Sequence, residues 1–322
     1  MDQAPHLPVL YKAIITALQP RTPGRYVDGT LGAAGHAAGI LAASAPEGEL
    51  LGLDLDPQAL AIARERLAPF GGRAHVARAS YLSMREEAAK LGWDAVDGIV
   101  LDFGVSSMQI DTPERGFSFL SDGPLDMRFD PSALLSAADL VNGWSEQELA
   151  NLIFHYGEER FSRRIARAIV ANRPIHTTAQ LAGLILKSIG KKERIHPATR
   201  TFQALRIAVN GELEAVEQVL PIAAHLLRSP DAVSGRSPDA VSRGPGGRLA
   251  VISFHSLEDR LVKEYFRRES RDCLCPPRQP VCTCGHKATL REINRKPIEA
   301  SEEEIKENPR ARSAKLRIAQ KI

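Results

Sequence analysis

Residues 27–36 read V-D-G-T-L-G-A-A-G-H, and Asp54 closes the next apolar run. No other stretch limits the fold as much. The string follows a β-like segment at 24–27 and runs into an Ala-rich helix former at 33–43. A strand, a glycine turn, a helix and a second strand ending in an acid form the front of a parallel α/β sheet. Glycine permits positive φ in a tight turn and lets backbone approach a ligand. An acid about 20 residues further on, after the second strand, can take two ribose hydroxyls. The spacing departs from G-x-G-x-x-G, since Gly29, Gly32 and Gly35 are each three apart. Asp28 also stands where a pyrophosphate would sit, and a carboxylate repels phosphate. It suits a cationic amino-acid moiety instead. The front of the chain is therefore expected to hold S-adenosylmethionine, which carries a sulfonium and an ammonium and no phosphate.

The rest of the chain extends this rhythm and then breaks it. Strand-like runs at 26–30, 50–55, 74–79 and 96–103 alternate with helical ones. Asp56 before Pro57 is a clean helix start, an N-cap followed by proline at the first helical position. Beyond Ser107 the sequence reads helical to about Asn210, with capping-box starts at Ser145 and Glu148 and at Thr177 and Gln180. A buried strand returns at 248–255, and 289–294 with 315–318 are expected to close the sheet as an antiparallel pair. The expected fold is α/β, a Rossmann-like sheet with an inserted helical domain. Residues 1–108 and 211–322 form the core, and 109–210 form the insert. Within 228–247, R-S-P-D-A-V-S occurs twice. So much Pro, Ser and Gly predicts a dispensable surface loop. No apolar run is long enough to span a membrane. The N-terminus lacks the basic start and apolar core of a signal peptide, which places the chain in the cytoplasm.

A net charge of +3 conceals strong polarity. Residues 109–159 hold ten acids and two bases, a balance of −8. Residues 160–210 hold eleven bases and one acid, or +10, and 260–322 hold sixteen bases and nine acids, or +7. Basic segments of that size predict a polyanion surface. Arg160, Arg163, Arg164 and Arg167 recur at helical spacing, opposite an apolar stripe of Phe161, Ile165, Ala168 and Ile169. Stacked arginines repel unless an anion lies over them, and a guanidinium fork grips phosphate. Lys191, Lys192 and Arg194 form a second patch. On the helix expected from Thr199 to Val209, Phe202, Leu205 and Val209 should face inward, and Arg200, Gln203 and Arg206 outward. RNA-binding candidates are Arg163, Arg164, Arg167, Arg200 and Arg206. The alternative is a set of solvated faces with some arginines neutralised by nearby acids.

Four cysteines, Cys273, Cys275, Cys282 and Cys284, fall within twelve residues. Four thiolates can ligate zinc tetrahedrally, although C-x-C pairs are tighter than the usual C-x₂-C knuckle. The cluster is expected to be structural, as a zinc site or as reduced thiols. Chemistry should sit at the carboxyl ends of the strands. Asp102 ends the fourth. His255 ends the fifth, with Glu258 just beyond it, and either could serve chemistry or merely shape the start of the next helix. An exocyclic amine on a nucleobase is a weak nucleophile, because its lone pair is delocalised into the ring. A carboxylate accepting an amino proton would localise that pair, which makes Asp102 the first catalytic candidate and His255 the second.

At this point the chain resembles a known family, the bacterial S-adenosylmethionine-dependent methyltransferases that modify N4 of a cytidine in the decoding region of small-subunit ribosomal RNA. The resemblance rests on H-L-P-V-L at 6–10, D-G-T through G-H at 28–36, and L-D-F-G-V-S-S at 101–107 with Gln109. It continues through E-R-G-F-S-F at 114–119, D-G-P-L-D-M-R at 122–128 and Y-G-E-E-R-F at 156–161. Further strings are H-P-A-T-R-T-F-Q at 196–203, S-F-H-S-L-E-D-R at 253–260 and N-P-R-A-R-S at 308–313. It implies a Rossmann-like core with a helical insertion, and cofactor contacts at Ala34, Gly35, His36, Asp54, Tyr81, Asp102 and Gln109. By the same resemblance the partner is small-subunit ribosomal RNA or the small ribosomal subunit. Ala33 and Ala34 stand where the family often has Gly or a charged residue. Asp102-Phe103-Gly104 replaces the Asn/Asp-Pro-Pro-aromatic signature common among exocyclic-amine methyltransferases. Other readings of the residues are a DNA amino-methyltransferase, a nicotinamide-dependent oxidoreductase, and a non-enzymatic RNA-binding assembly factor.

Overall fold

Apolar runs too short for helices and flanked by glycine turns become strands, and the helix formers between them cover both faces of the sheet they make. The computed structural model describes residues 8–190, 195–230, 245–279 and 281–322. Lys191, Lys192, Arg194 and most of the repeated R-S-P-D-A-V-S segment lie outside those residues. In chain order the elements are α1 (Tyr11–Leu18), β1 (Arg25–Asp28), α2 (Gly35–Ala43), β2 (Glu49–Asp54), α3 (Pro57–Leu67), β3 (Ala74–Arg78), α4 (Met84–Lys90) and β4 (Gly98–Asp102). Then come α5 (Ser107–Asp111), α6 (Ala137–Gly143), α7 (Glu146–Gly157), α8 (Ser162–Ala171), α9 (Thr178–Ile189), α10 (Thr199–Asn210) and α11 (Glu212–Leu226). The chain ends with β5 (Arg248–Ser253), α12 (Ser256–Glu269), β6 (Leu290–Glu292), β7 (Ile298–Glu299), α13 (Glu302–Glu307) and β8 (Lys315–Lys321). Two compact units result: Met1–Gly104 with Ala215–Ile322, and Val105–Glu214.

The first unit is built on one mixed sheet of order β3-β2-β1-β4-β5-β8-β6, with β7 also paired to β8. Strands β1 to β5 are parallel. Strand β8 runs antiparallel to β5, β6 and β7. Side chains alternate across the sheet with period two. Val27, Leu51, Leu53, Ile99 and Leu101 face a core shared with Met84, Val219, Leu220 and Phe266. Tyr26, Leu50, Val100, Ala250 and Ile252 face another core, with Ile14, Ile40 and Leu60. At the far side, buried Arg317 on β8 forks onto Asp259 of α12 through Nε at 2.7 Å and Nη2 at 3.1 Å. Strand order reverses between β1 and β4, which opens a crevice at their carboxyl ends. Asp28 and Asp102 are the last residues of those two strands.

The second unit is helical. Leu140, Leu149, Ile153, Ile165, Ile169, Leu181, Ile185 and Leu205 fill its core. Helices α7 and α10 touch at Gly157, where a Cβ would stand 2.6 Å from the Arg200 carbonyl oxygen. Ser145 with Glu148 and Thr177 with Gln180 form the capping boxes the sequence predicted, and Ser136 with Asp139 forms another. Several element ends differ from expectation. Strand β4 starts at Gly98, while Val96 makes only an isolated bridge with Leu227. Strand β5 stops at Ser253, because His255 leaves the sheet to cap α12.

Candidate functional site

The crevice is lined by three strand-end acids, Asp28, Asp54 and Asp102, and an oxygen of Asp102 has no hydrogen-bond partner. Asp28 is 1% exposed. Its carboxylate accepts from the backbone N–H groups of Thr30 and Ala37. Helix α2 has no side-chain cap of its own, so Asp28 serves its first turn from the tip of β1. An anion therefore already occupies the helix N-terminus, the place where a phosphate would bind. Burial, with the Asp54 charge nearby, pushes Asp28 up to about 7. This arrangement disfavours a dinucleotide and favours a cationic ligand.

Asp102 is the sharpest feature. Its N–H donates to Thr30 Oγ1 at 2.7 Å, which ties the tip of β4 to the glycine turn. Its Oδ2 lies 3.9 Å from His36 Nδ1. Its Oδ1 is covered and has no hydrogen-bond partner. A buried polar atom without a partner costs about 1–3 kcal/mol, so a ligand donor there has something to gain. Burial first, then Asp28 and Glu258, hold the Asp102 carboxyl well above the usual carboxylate range. Buried His36 points Nε2 at the Val9 carbonyl, 2.9 Å away. A carbonyl can only accept, so Nε2 carries the proton. Burial pulls His36 down to about 4, which leaves the ring neutral with the Nδ1 lone pair toward Asp102.

Asp54 closes β2. It accepts from Gly32 N–H at 2.8 Å and Asp56 N–H at 2.9 Å, and burial raises its pKa. Each oxygen keeps acceptor capacity for a diol. Gly32 has φ +50°, and a Cβ there would meet the Thr30 carbonyl oxygen at 3.9 Å, an ordinary contact, so its backbone angle and not crowding favours glycine. Gly29 and Gly35 have a different reason to be glycine. A Cβ at Gly29 would meet Leu101 Cδ2 at 2.7 Å, and one at Gly35 would meet Pro8 Cγ at 2.9 Å. Two of the three glycines thus serve packing. Ala34 adopts a left-handed conformation, φ 59°, which glycine would hold without strain. Tyr81 opens the turn after β3, its ring centroid 6.0 Å from that of Phe103. The set of three acids, a neutral imidazole and a turn of backbone fits a nucleoside bearing a sulfonium and an ammonium.

Two expected site residues have local structural duties. His255 is the N-cap of α12, its ring accepting from Glu258 N–H, while Glu258 accepts from Phe254 N–H at 2.9 Å. Its Nε2 lies 3.0 Å from Glu258 Oε1, off the line of a hydrogen bond. Gln109, in the second unit, completes a capping box with Ser106 at 3.0 and 3.2 Å. Sequence reading missed the parts played by Thr30 and Val9. Thr30 stands inside the D-G-T string, and only the fold brings the Val9 carbonyl to His36.

The arginines divide into two groups. Arg163, Arg164 and Arg167 are exposed on α8, and Arg167 alone of the three makes an ion pair among the described residues, with Glu146 at 3.4 Å. Arg160 is not on this helix. It precedes α8 and lies over the Phe161 ring at 4.7 Å. The buried stripe is Ser162, Ile165, Ala166 and Ile169, without Phe161 and Ala168. Arg206 corrects the expectation of an outward, RNA-facing side chain. It is 14% exposed and forks onto Glu212 at 2.7 and 2.8 Å, because the start of α11 covers that face of α10. Gln203 likewise turns in, donating to the Tyr156 carbonyl at 3.1 Å. Arg200 pairs with buried Glu159 at 3.5 Å. The four cysteines gather in one exposed loop of the first unit, with no disulfide among them. Among the described residues no helix is long and apolar enough to cross a membrane.

The MraW methylase family matches residues 3–322 of this chain. Similar proteins bear the name ribosomal RNA small subunit methyltransferase H. The one from Citrifermentans bemidjiense is 51% identical, with 100% of both chains covered. The one from Geobacter sulfurreducens is 52% identical over 98% of this chain and 99% of its own. That from Thermomicrobium roseum is 51% identical over 98% of this chain and 94% of its own.

Proposed function

We propose that this chain, which belongs to the MraW methylase family, transfers a methyl group from S-adenosylmethionine to N4 of a cytidine in the decoding region of small-subunit ribosomal RNA. The observation that carries this reading is Asp102 Oδ1, a covered carboxylate oxygen with no partner at the switch point of the sheet. When bound, the cofactor supplies an electrophilic methyl group on a sulfonium. Asp54 would take the ribose hydroxyls, Tyr81 would serve the adenine, and Ala34, Gly35 and His36 would complete the cofactor contacts of the first unit; Gln109 is a further contact by family resemblance alone. Asp28 balances the cationic amino-acid end, which its carboxylate at the turn favours over phosphate.

Asp102 is the catalytic residue. Beside the cationic cofactor, which would favour its ionised form against the burial that opposes it, its oxygen accepts a hydrogen bond from the cytosine amino group, which localises and aims the N4 lone pair, and it takes the proton that N4 loses as the methyl group passes from sulfur to nitrogen. Most of the rate gain is then positioning and electrostatics. Neutral His36 borders Asp102 without adding a competing positive charge. His255 acts through Glu258 as a positioning residue, since its ring is engaged in the cap of α12. Arg163, Arg164 and Arg167 meet the phosphate backbone. Arg200 and Arg206 support that surface through Glu159 and Glu212.

The deciding experiment supplies labelled S-adenosylmethionine with small ribosomal subunits lacking the modification, and runs bare ribosomal RNA and duplex DNA in parallel. Mass spectrometry of the digested nucleosides should find N4-methylcytidine from ribosomal RNA. Label in DNA would point to an amino-methyltransferase of DNA. Cofactor binding with no labelled nucleoside would favour an RNA-binding assembly factor.

A further inference from the structure

The loop between α12 and β6 brings four sulfurs together with no bond among them. Cys273 Sγ lies 3.5 Å from Cys282 Sγ and 3.9 Å from Cys284 Sγ. Cys282 Sγ lies 3.6 Å from Cys284 Sγ and 4.0 Å from Cys275 Sγ. All four lie within 4.8 Å of one another. A zinc ion held by four thiolates at about 2.3 Å sets the edge of its tetrahedron at about 3.8 Å. The observed separations bracket that edge. They are far above a disulfide bond of about 2.05 Å. They are also too short for an iron–sulfur cubane, whose cysteine sulfurs are spread around a larger cluster.

The backbone is arranged for thiolates as well. Leu274 N–H points at Cys284 Sγ at 3.3 Å, Cys275 N–H at Cys273 Sγ and Thr283 N–H at Cys275 Sγ, both at 3.4 Å. Such N–H groups disperse charge on sulfur ligands and fix their direction. The feet of the loop are tied down independently. Thr289 N–H donates to the Glu269 carbonyl at 2.9 Å, and His286 Nε2 to the Arg268 carbonyl at 3.1 Å. A surface loop has little apolar area to hold it, so an ion joining the four exposed or half-exposed thiols would offset the entropy of ordering them.

We propose that Cys273, Cys275, Cys282 and Cys284 bind one zinc ion, a structural site that fastens this loop. Soft thiolate ligands in a closed tetrahedron select zinc over harder cations. Asp272 and Ala288, beside the cysteines, also line a recess with Arg267, Arg271, Arg291 and Arg295, so the metal orders one wall of a basic surface.

The test is elemental analysis of the full chain, expressed with added zinc and purified under reducing, chelator-free conditions. About one zinc per chain is expected, as four ligands from one chain complete one site. Cobalt(II) exchanged into the wild-type chain should give the visible bands of a tetrahedral thiolate centre, a readout that needs no variant. Cys273→Ser with Cys284→Ser should lose the metal and those bands while keeping the far-ultraviolet spectrum of the folded chain. Zinc well below one per chain with four thiols reacting freely would overturn the proposal. So would iron in place of zinc, or metal retained by the double variant.

Discussion

Asp102 and Asp28 are carboxyls held where their charge is opposed, and each carries a test. Asp102→Ala is expected to slow single-turnover methyl transfer by about one to two decades. The cause is the loss of a charge-assisted hydrogen bond of roughly 1.5–3 kcal/mol. Unchanged turnover in that variant would remove Asp102 from the mechanism. Asp28 titrates at about 7 in the folded chain. An unperturbed Asp titrates at about 3.9. Between those values the native state holds a proton that the unfolded state has lost. The stabilising contribution is therefore complete below about pH 4 and is lost as pH rises through about 7. Asp28→Asn removes this dependence. Without ligand, its melting temperature relative to wild type should rise between pH 4 and pH 8, whereas a constant offset would contradict the burial argument. Asp102 was visible in the sequence as a strand-end residue, and Asp28 as an acid inside the glycine turn. Their electrostatics were not, because burial and the approach of Glu258 come from the assembled sheet.

Helix α8 shows what periodicity can and cannot give. The arginines at 163, 164 and 167 were legible as one helix face, and they are exposed. The start of the helix was not, so Arg160 fell off the stripe and the buried face shifted to Ser162 and Ala166. On α10 the same reasoning failed for Arg206, because a side chain polar in sequence was covered by an acid on the next helix. The two helices predict opposite phenotypes. Replacing Arg163, Arg164 and Arg167 with Ala should weaken RNA binding and lower the salt slope by about 0.7–0.9 for each phosphate no longer neutralised. Stability should barely move, since exposed ion pairs such as Arg167 with Glu146 are worth little. Arg206→Ala should leave the salt slope alone and destabilise the fold by about 3–5 kcal/mol, since Glu212 would stay buried without its fork. Salt titrations of binding and thermal melts on both variants separate these outcomes. A flattened slope in Arg206→Ala would return that residue to the RNA surface.

At the scale of the molecule, the βαβ rhythm marked the parallel strands because strands buried on both faces read as continuous apolar runs. The antiparallel end was harder to read. Strand β8 carries Lys315, Arg317 and Lys321, and its burial depends on Asp259, 58 residues earlier in the chain. The interruption after Ser107 was visible as a change of period, and the compact helical unit spans Val105–Glu214. Its core is made from its own residues, and its ion pairs Arg206 with Glu212 and Arg200 with Glu159 are internal. The capping boxes on α6, α7 and α9 are internal too. A segment of about 100 residues with its own core is in the size range of an independent domain. Residues 105–214 expressed alone should therefore give a helical far-ultraviolet spectrum and one cooperative melt. A gradual melt with strong binding of a hydrophobic dye would mean the insert depends on the sheet to pack. If it folds alone, its RNA affinity should carry the salt dependence assigned to α8, and the Arg163, Arg164 and Arg167 replacement should flatten it there as in the full chain. The helical unit would then grip the substrate by charge, and the acidic crevice of the sheet would be left with the chemistry.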